Sequence, residues 1–223
     1  MADARTGTAP RPLRRDAERN RVRILDAARE VFRHRGFDAT LDDIAAQAGL
    51  GVATVYRRFP DKDHLVEAMF AQRLHDIRAL AEQALDEPEP WGSLVGFLVR
   101  AAELMADDRG VRDVLLSSAL GRDEVRQARD RLTAVTVRLL QRAQEAGVLR
   151  RDLADTDLPV LMVMLGSVAE YGHHEAPELW RRYLGLLLDG LRAGAGPPSP
   201  LPVPALDPDA LDRAMATWRH RRP

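Results

Sequence analysis

Residues 54–62, with the sequence TVYRRFPDK, place five side chains that can donate hydrogen bonds to anions within nine positions. A tyrosine hydroxyl gives a rigid, directed bond to a phosphate, and a guanidinium presents a planar fork to a phosphate or to a guanine edge. A solvated helix face carries the same residue types without such chemistry. The neighbouring elements must therefore decide between the two interpretations. The five donors are Thr54, Tyr56, Arg57, Arg58 and Lys62.

Two short helices are predicted around this stretch. Thr40 followed by Asp43 has the spacing of a capping box and begins a helix that Gly49 ends. Gly51 is an acceptable N-cap for a second short helix, which Pro60 ends. Two short helices joined by a tight turn form the helix-turn-helix arrangement. The second helix of such a pair needs an apolar face against its scaffold and a polar face toward DNA.

Longer helices are predicted on both sides of this pair. An apolar stripe runs from about Asp16 to a helix end at Gly36, and Asp61 caps a long fourth helix. The basic, Pro-containing residues 1–15 are predicted to be a disordered arm, either a plain tail or, through Arg11, Arg14 and Arg15, an arm that enters a DNA minor groove. The stripe of the first helix consists of Val22, Leu25, Ala28, Val31 and Phe32, and the apolar face of the second short helix consists of Val52, Val55 and Phe59.

The rest of the chain also has helical periodicity. The segments 157–172 and 178–192 are apolar around most of their circumference, which indicates burial in a core or in a subunit interface. Residues 193–204 form a Pro-rich linker, of which 196–204 are either a spacer or an extended arm laid across a partner subunit. With no internal repeat and no convincing strand, the predicted fold class is all-α. The predicted helices lie near 91–107, 111–119, 123–146, 157–172, 178–192 and 207–220.

The composition excludes several classes of function. A chain of 223 residues that is 45% hydrophobic and 30% charged is typical of a soluble globular protein. The absence of cysteine excludes disulfides, thiolate catalysis and Cys-ligated zinc. Without a signal peptide or an apolar run of membrane length, a cytoplasmic location is expected. Residues 1–63 carry 13 basic against 10 acidic side chains, and residues 64–223 carry 20 against 24, so the N-terminal end suits an anionic partner.

The segment ATLDDIAAQAGLGVATVYRRFPDKDHL, residues 39–65, resembles the DNA-binding segment of the TetR/AcrR family of transcriptional regulators. The resemblance covers roughly residues 20–68. It rests on Thr40, Ile44-Ala45, Ala48-Gly49-Leu50, Thr54-Val55-Tyr56, Phe59 and Lys62. It implies an all-α homodimer with an N-terminal three-helix helix-turn-helix DNA-binding domain and a larger helical ligand-binding and dimerisation domain. We therefore divide the chain into an arm at 1–15, a DNA-binding domain at 16–63, an effector-binding and dimerisation domain at 64–195, and a linker with a short helix at 196–223.

The resemblance further implies a sequence-specific regulator, most often a repressor that a small molecule releases from a palindromic operator, without enzymatic activity or cofactor. In that arrangement Thr40 and Lys62 contact phosphates. Two positions depart from the family pattern: Arg58 stands where His is common, and Gly51 stands where Ser is common. The major-groove face consists of Val52, Ala53 and Thr54, and the residues beside the DNA backbone are Tyr56, Arg57 and Arg58.

The effector site and the dimer interface are expected in the C-terminal part. The helices near 157–172 and 178–192 are the candidate interface, since both are too apolar to be half exposed. As a group, five side chains are predicted through the resemblance to line an effector pocket, although each one taken singly suits a plain core. They are Trp91, Phe97, Met105, Met162 and Tyr171.

Three alternatives compete with this interpretation. Glu170-x-x-His173 has a metal-binding spacing, but the chain has no second copy, so no metal site is predicted. A helical small-molecule carrier or enzyme would use the same C-terminal cavity, but the sequence has no catalytic motif, and a carrier has no need of the cationic segment. A non-specific DNA-coating protein is expected to be strongly basic, whereas the isoelectric point is about 6.6.

Overall fold

The computed structural model describes residues 11–106, 123–194, 196 and 199–219, and within these ranges it consists of nine α-helices and no strand. The prediction of an all-α fold is confirmed. The helix predicted at 111–119 lies outside the described residues. The helices are α1 (Arg11–Arg35), α2 (Leu41–Ala48), α3 (Val52–Arg58), α4 (Lys62–Leu85), α5 (Pro90–Ala106), α6 (Asp123–Glu145), α7 (Asp157–Tyr171), α8 (Leu179–Leu191) and α9 (Pro208–Arg219).

The first helix corrects two predictions. It begins at Arg11, so residues 11–15 are helical and not a disordered arm. Pro12 lies in the first turn, where a missing backbone N–H breaks no intrahelical bond. Val22, predicted on the buried stripe, is exposed, and Ile24 is buried instead. As predicted, the helix ends before Gly36, which has a left-handed φ of 64°.

One apolar cluster, here called the N-terminal core, joins α1, α2, α3 and the first two turns of α4. Burial of these side chains supplies the main free energy that holds the short helices in place, because helices of seven and eight residues are marginal alone. Its largest fully buried members are Phe32, Ile24, Leu25, Ile44, Val55, Leu65, Val66 and Met69.

A second cluster, the C-terminal core, is built from the later part of α4 together with α5, α6, α7 and α8. A smaller junction cluster of Ala71, Leu74, Val125 and Ala128 joins α4 to the start of α6. Phe70 packs against both the N-terminal core and the junction cluster. Helix α4 therefore runs continuously through both parts of the molecule. The central buried residues of the C-terminal core include Leu94, Leu98, Leu139, Leu149, Leu165, Trp180 and Leu184.

Arginines fasten the loops and the C-terminal segment. Arg142 donates to the backbone carbonyls of Leu85 (2.8 Å) and Pro88 (2.9 Å) after α4. Arg150 donates to the carbonyl of Ser199 (2.8 Å) in the Pro-rich linker. Two further contacts fix the C-terminal segment: an isolated antiparallel bridge pairs Leu149 with Arg192, and Arg129 of α6 binds Asp212 of α9 at 2.8 Å. None of the described helices is long and apolar enough to cross a membrane.

Candidate nucleic-acid interface

The start of α2 is fixed by a reciprocal capping box, as predicted. The Asp43 backbone N–H donates to Thr40 Oγ1 at 3.2 Å, and the Thr40 backbone N–H donates to Asp43 Oδ2 at 2.9 Å. The Thr40 hydroxyl also donates to Asp43 Oδ2 at 2.8 Å, and Arg35 binds the other carboxylate oxygen at 2.6 Å. The Thr40 amide and hydroxyl, followed by Arg35, hold the pKa of the Asp43 carboxyl below its ordinary value.

This geometry bears on the phosphate contact predicted for Thr40. The single hydrogen of its hydroxyl is directed to Asp43, so a bond to a phosphate requires the hydroxyl to turn away from the carboxylate. Asp42 and Asp43 both lie in the first turn of α2, where they already occupy the positive end of the helix dipole. The start of α2 therefore has little positive potential available for an anion.

Asp43→Asn is expected to lower the free energy of unfolding at neutral pH, and this difference should disappear in acid. A carboxyl with a lowered pKa in the folded state stabilises the fold above its unfolded pKa, near 3.8, and that contribution vanishes as the pH falls through its folded pKa. Urea denaturation of both proteins from pH 7 to pH 2.5 measures the difference. The matched control is Asp42→Asn, which removes an acidic group from the same turn. A difference for Asp43→Asn that persists unchanged below pH 3 contradicts the assignment.

The turn between α2 and α3 requires glycine at position 49. Gly49 has φ 61° and ψ 39°, a left-handed conformation that side chains with a Cβ disfavour. Its amide bonds back to Ala46 at 3.1 Å, and the amide of Leu50 bonds to Ala45 at 3.0 Å, which closes the end of α2. Arg23 of α1 donates to the carbonyl of Ala48 at 2.7 Å. This bond ties the long first helix directly to the turn that precedes α3.

Helix α3 has one buried face and one exposed face. Val55 and Phe59 lie in the N-terminal core, four residues apart and thus on the same side of the helix. Val52 is 44% exposed, so the prediction that placed it on the buried face is wrong. It is the first residue of α3, one turn before the side chain that anchors the helix. Its exposure agrees with the position that the family resemblance gives it, beside Ala53 and the half-buried Thr54.

The donors named from the sequence lie on α3 and at the start of α4. Tyr56, Arg57 and Arg58 are all exposed, and the Arg58 guanidinium lies 6.0 Å from the centre of the Phe59 ring. Lys62 is the first residue of α4 and is partly exposed. Asp61 caps α4 as predicted, because its carboxylate accepts the His64 backbone N–H at 2.9 Å. Two adjoining helix termini thus carry a hydroxyl, two guanidinium groups and an ammonium group.

The residues predicted for an effector pocket do not all come together. Phe97 is buried in the C-terminal core, and Trp91 and Met162 are partly buried against the same core. The Arg192 guanidinium lies 5.3 Å above the Trp91 ring. Met105 is partly buried near the end of α5. Tyr171 is 89% exposed at the end of α7, so its position does not fit a pocket-lining role.

Two features of the site have no signal in the sequence. Arg35 orients the capping carboxylate, and Arg23 fastens the turn, but neither residue belongs to a motif or an apolar stripe. Both bonds are tertiary contacts made by long polar side chains, and periodicity does not reveal them.

In the loop after α7, the rings of His173 and His174 stack with centroids 4.3 Å apart. Among the described residues, no group of three or more His, Asp or Glu side chains is arranged to hold a metal ion.

Two short helices, a left-handed glycine between them and an exposed cationic face on the second helix define a helix-turn-helix DNA-binding protein. Two family models match the chain: "Bacterial regulatory proteins, tetR family" over residues 24–69, and "Transcriptional regulator SbtR-like, C-terminal domain" over residues 89–193. The chain belongs to the TetR family of bacterial transcriptional regulators.

Known regulators are similar to this chain in sequence or in structure over most of its length. The HTH-type transcriptional regulator SrpR of Pseudomonas putida is 30% identical over 179 residues, which are 80% of this chain and 78% of SrpR. A TetR transcription regulatory protein from Mycobacterium vanbaalenii is 33% identical with a TM-score of 0.60, over 81% of this chain and 99% of its own. The regulator SCO0520 from Streptomyces coelicolor is 29% identical with a TM-score of 0.60, over 78% and 99%.

The protein is accordingly a DNA-binding transcriptional regulator. Regulators of this family typically dimerise and bind small-molecule effectors, and they are normally not enzymes. The prediction of the family from residues 20–68 is confirmed, since the first model covers nearly the same segment.

Proposed function

We propose that this regulator is a homodimeric repressor that binds a palindromic operator and is released by a small molecule bound in its C-terminal domain. The observation that carries the proposal is an apolar surface on the outer sides of α7 and α8, here called the α7–α8 face. Leu186 on this face is 59% exposed in the single chain. The face also includes Val160, Met164, Tyr183 and, along a shallow groove, Leu165, Val168 and Leu187.

A second copy of the chain is the partner that fits this face. Contiguous exposed apolar surface marks a protein contact, and a two-fold axis lets one patch serve both subunits. Helix α3 has only seven residues, so one copy reads few base pairs. A dimer presents two copies of α3 to two half-sites about one or more helical turns apart. The shortness of α3 and the exposed apolar surface of the α7–α8 face therefore both support a homodimer.

Leu186→Glu is expected to shift the protein from dimer to monomer, because each interface then buries two carboxylates without partners. Sedimentation velocity over a range of protein concentrations measures the change. The matched control is Val203→Glu, an equivalent change at an exposed apolar residue of the linker outside the face. A Leu186→Glu protein that sediments as a dimer at the wild-type concentration contradicts this assignment of the interface.

On the DNA side, we assign Val52, Ala53 and Thr54 to base edges in the major groove. Val52 and Ala53 offer only apolar contacts, such as the thymine methyl group, so direct hydrogen-bond readout falls to Thr54. Backbone contacts come from the remaining exposed donors and fix the register of α3 without reading sequence. The residues assigned to the DNA backbone are Thr40, Tyr56, Arg57, Arg58 and Lys62.

The domain division at 16–63 and 64–195, with the C-terminal segment at 196–223, is part of the proposal. The N-terminal core extends to Met69, which supports a DNA-binding unit that includes the first turns of α4.

For the effector, Trp91, Phe97, Met105 and Met162 remain the proposed contacts. The exposure of Tyr171 argues against including it.

The test is fluorescence anisotropy of labelled DNA titrated with purified protein at several salt concentrations. The fragments come from the region upstream of the protein's own coding sequence and from selection out of a random library, with scrambled DNA as control. Binding that is tight, sequence-dependent and steeply salt-dependent supports the proposal. Release of the bound fragment by members of a small-molecule library then identifies the effector class. Equal binding to selected and scrambled DNA rejects a specific operator.

A further inference from the structure

An ion pair joins the DNA-binding domain to the C-terminal domain away from α4. Arg21 of α1 places Nη2 at 2.7 Å from Oε1 of Glu124, which lies 103 positions later in the chain. The Arg21 side chain is only 10% exposed, while that of Glu124 is 52% exposed. Glu124 lies in the first turn of α6, where its charge also suits the helix dipole.

This pair differs from most of the other ion pairs of α1. Arg19, Arg29 and Arg33 each bind an acidic residue three positions earlier on the same helix. Such surface pairs within one helix are worth little. Two arginines of α1 also contact other helices: Arg29 approaches Asp76 of α4 at 3.8 Å, and Arg35 binds Asp43 of α2 at 2.6 Å. The Arg21–Glu124 pair instead connects two helices that belong to different cores. Its arginine is largely withdrawn from water, so a conformation that separates the two groups leaves a poorly hydrated charge without a partner.

The apolar contact beside this pair does not include α1. The junction cluster joins α4 to α6 through Ala71, Leu74, Val125 and Ala128, with Phe70 and Leu132 packed against it, and Val125 directly follows Glu124 in the chain. Apolar contact is non-directional, and this cluster does not itself hold α1 against α6. A hydrogen bond between a guanidinium and a carboxylate depends on both distance and angle. The ion pair therefore supplies a directional contact between α1 and α6.

Movement of α1 at this point is transmitted to α3, the recognition helix of the helix-turn-helix pair, through a single hydrogen bond. Arg23 lies two residues after Arg21 on the same helix and donates to the Ala48 carbonyl, at the turn that precedes α3. A rotation of α1 relative to α6 therefore carries the turn and α3 with it. In a dimer, the same rotation in both subunits changes the separation of the two copies of α3.

We propose that the Arg21–Glu124 ion pair holds the DNA-binding domain at one orientation on the C-terminal domain and thereby sets the half-site spacing that the dimer accepts. The two residues are positioning residues and touch no DNA. This inference rests on the proposed homodimer. A palindromic operator requires a fixed separation between the two copies of α3, and we assign the maintenance of that separation to this ion pair.

The first experiment measures the distance between the two DNA-binding domains without DNA. The chain contains no cysteine, so Gln47→Cys, at an exposed position of α2, gives one spin-label site per subunit. Pulsed dipolar spectroscopy is expected to show one narrow distance in the otherwise wild-type protein. The distribution should broaden to a similar extent in Glu124→Gln and in Arg21→Gln. The double variant should match either single variant, because both changes remove the same bond.

The matched control is Asp123→Asn. Asp123 is in the same first turn of α6 and binds Arg126 of its own helix, so its replacement changes the helix terminus without touching the junction. A narrow distribution that is retained in both Glu124→Gln and Arg21→Gln overturns the inference, as does equal broadening in Asp123→Asn. A protein that sediments as a monomer overturns the proposed dimer and this inference with it. Sedimentation therefore separates the two failures.

The second experiment measures the spacing requirement directly. The selected palindrome is lengthened and shortened at its centre by one or two base pairs, and binding is compared with that of a single half-site. Glu124→Gln is expected to reduce the preference for the original spacing by about tenfold and to leave half-site affinity unchanged. An unchanged spacing preference overturns the inference. Weaker half-site binding in a protein with a wild-type melting temperature also overturns it, because the pair then acts on α3 itself.

Discussion

Replacing Arg57 and Arg58 together with Ala is expected to weaken binding to every DNA sequence by at least about a hundredfold at moderate salt. Both side chains are exposed on the last turn of α3, and within the described structure neither forms an ion pair with an acidic group. A charge-assisted hydrogen bond contributes about 1.5–3 kcal/mol, and in the proposed dimer each substitution removes such a bond twice. The slope of log affinity against log salt should fall by about one for each phosphate that the variant no longer neutralises.

Anisotropy titrations from low to moderate salt give both quantities. Arg57→Lys with Arg58→Lys keeps the charge and removes the guanidinium fork, so it should retain most of the salt slope with a smaller decrease in affinity. The matched control for total charge is Arg131→Ala with Arg138→Ala, two exposed positions on α6. If the α6 pair reduces binding as much as the α3 pair, the attraction comes from net charge and the assigned docking is wrong.

Phe59→Ala is expected to lower the free energy of unfolding of the DNA-binding domain by about 3–5 kcal/mol, the range for truncating a buried Phe. Phe59 is buried directly after α3, in the same core as Val55. Since α3 itself buries only Val55, truncation of Phe59 removes much of what holds this helix against its scaffold. Specific DNA binding should disappear at temperatures that leave the C-terminal core intact.

The readout for Phe59→Ala must report on the N-terminal core. All three tryptophans come after residue 90, so tryptophan fluorescence follows the C-terminal domain. Hydrogen exchange resolved over residues 24–69 of the full-length chain is the suitable measurement. Val52→Ala is the matched control, because Val52 is an exposed residue of the same helix and should change stability by no more than about 0.5 kcal/mol. Wild-type protection in Phe59→Ala contradicts the anchoring role.

Most of the helix-turn-helix geometry was predictable because its signals are local. Thr40 and Asp43 of the capping box lie three positions apart, and Gly49 and Gly36 mark helix ends through their own backbone conformation. These features depend on neighbours within one turn of the chain. A single sequence displays them directly, and the structure confirms each of them.

The features that could not be predicted from the sequence depend on tertiary packing and tertiary contacts. Pro12 suggested disorder, but a proline in a first helical turn is compatible with helix. Val22 fits an apolar stripe, but the packing direction of α1 buries Ile24 instead. The bond between Arg21 and Glu124 joins two polar residues far apart in the chain, and hydrophobic periodicity cannot reveal it. The apolar character of α7 and α8 was evident from the sequence, whereas the outward position of Tyr171 was not, because it depends on where its helix ends.

Lys62 gives the regulator a useful chemical property. It is the only lysine among the 223 residues, and it begins α4 directly after the recognition helix. An acylating reagent that is selective for ε-amino groups therefore has one side-chain target per chain, next to the surface proposed to contact DNA. If bound DNA covers this amine as proposed, the rate of acylation becomes a label-free readout of operator occupancy, and it should rise again when a small molecule releases the DNA.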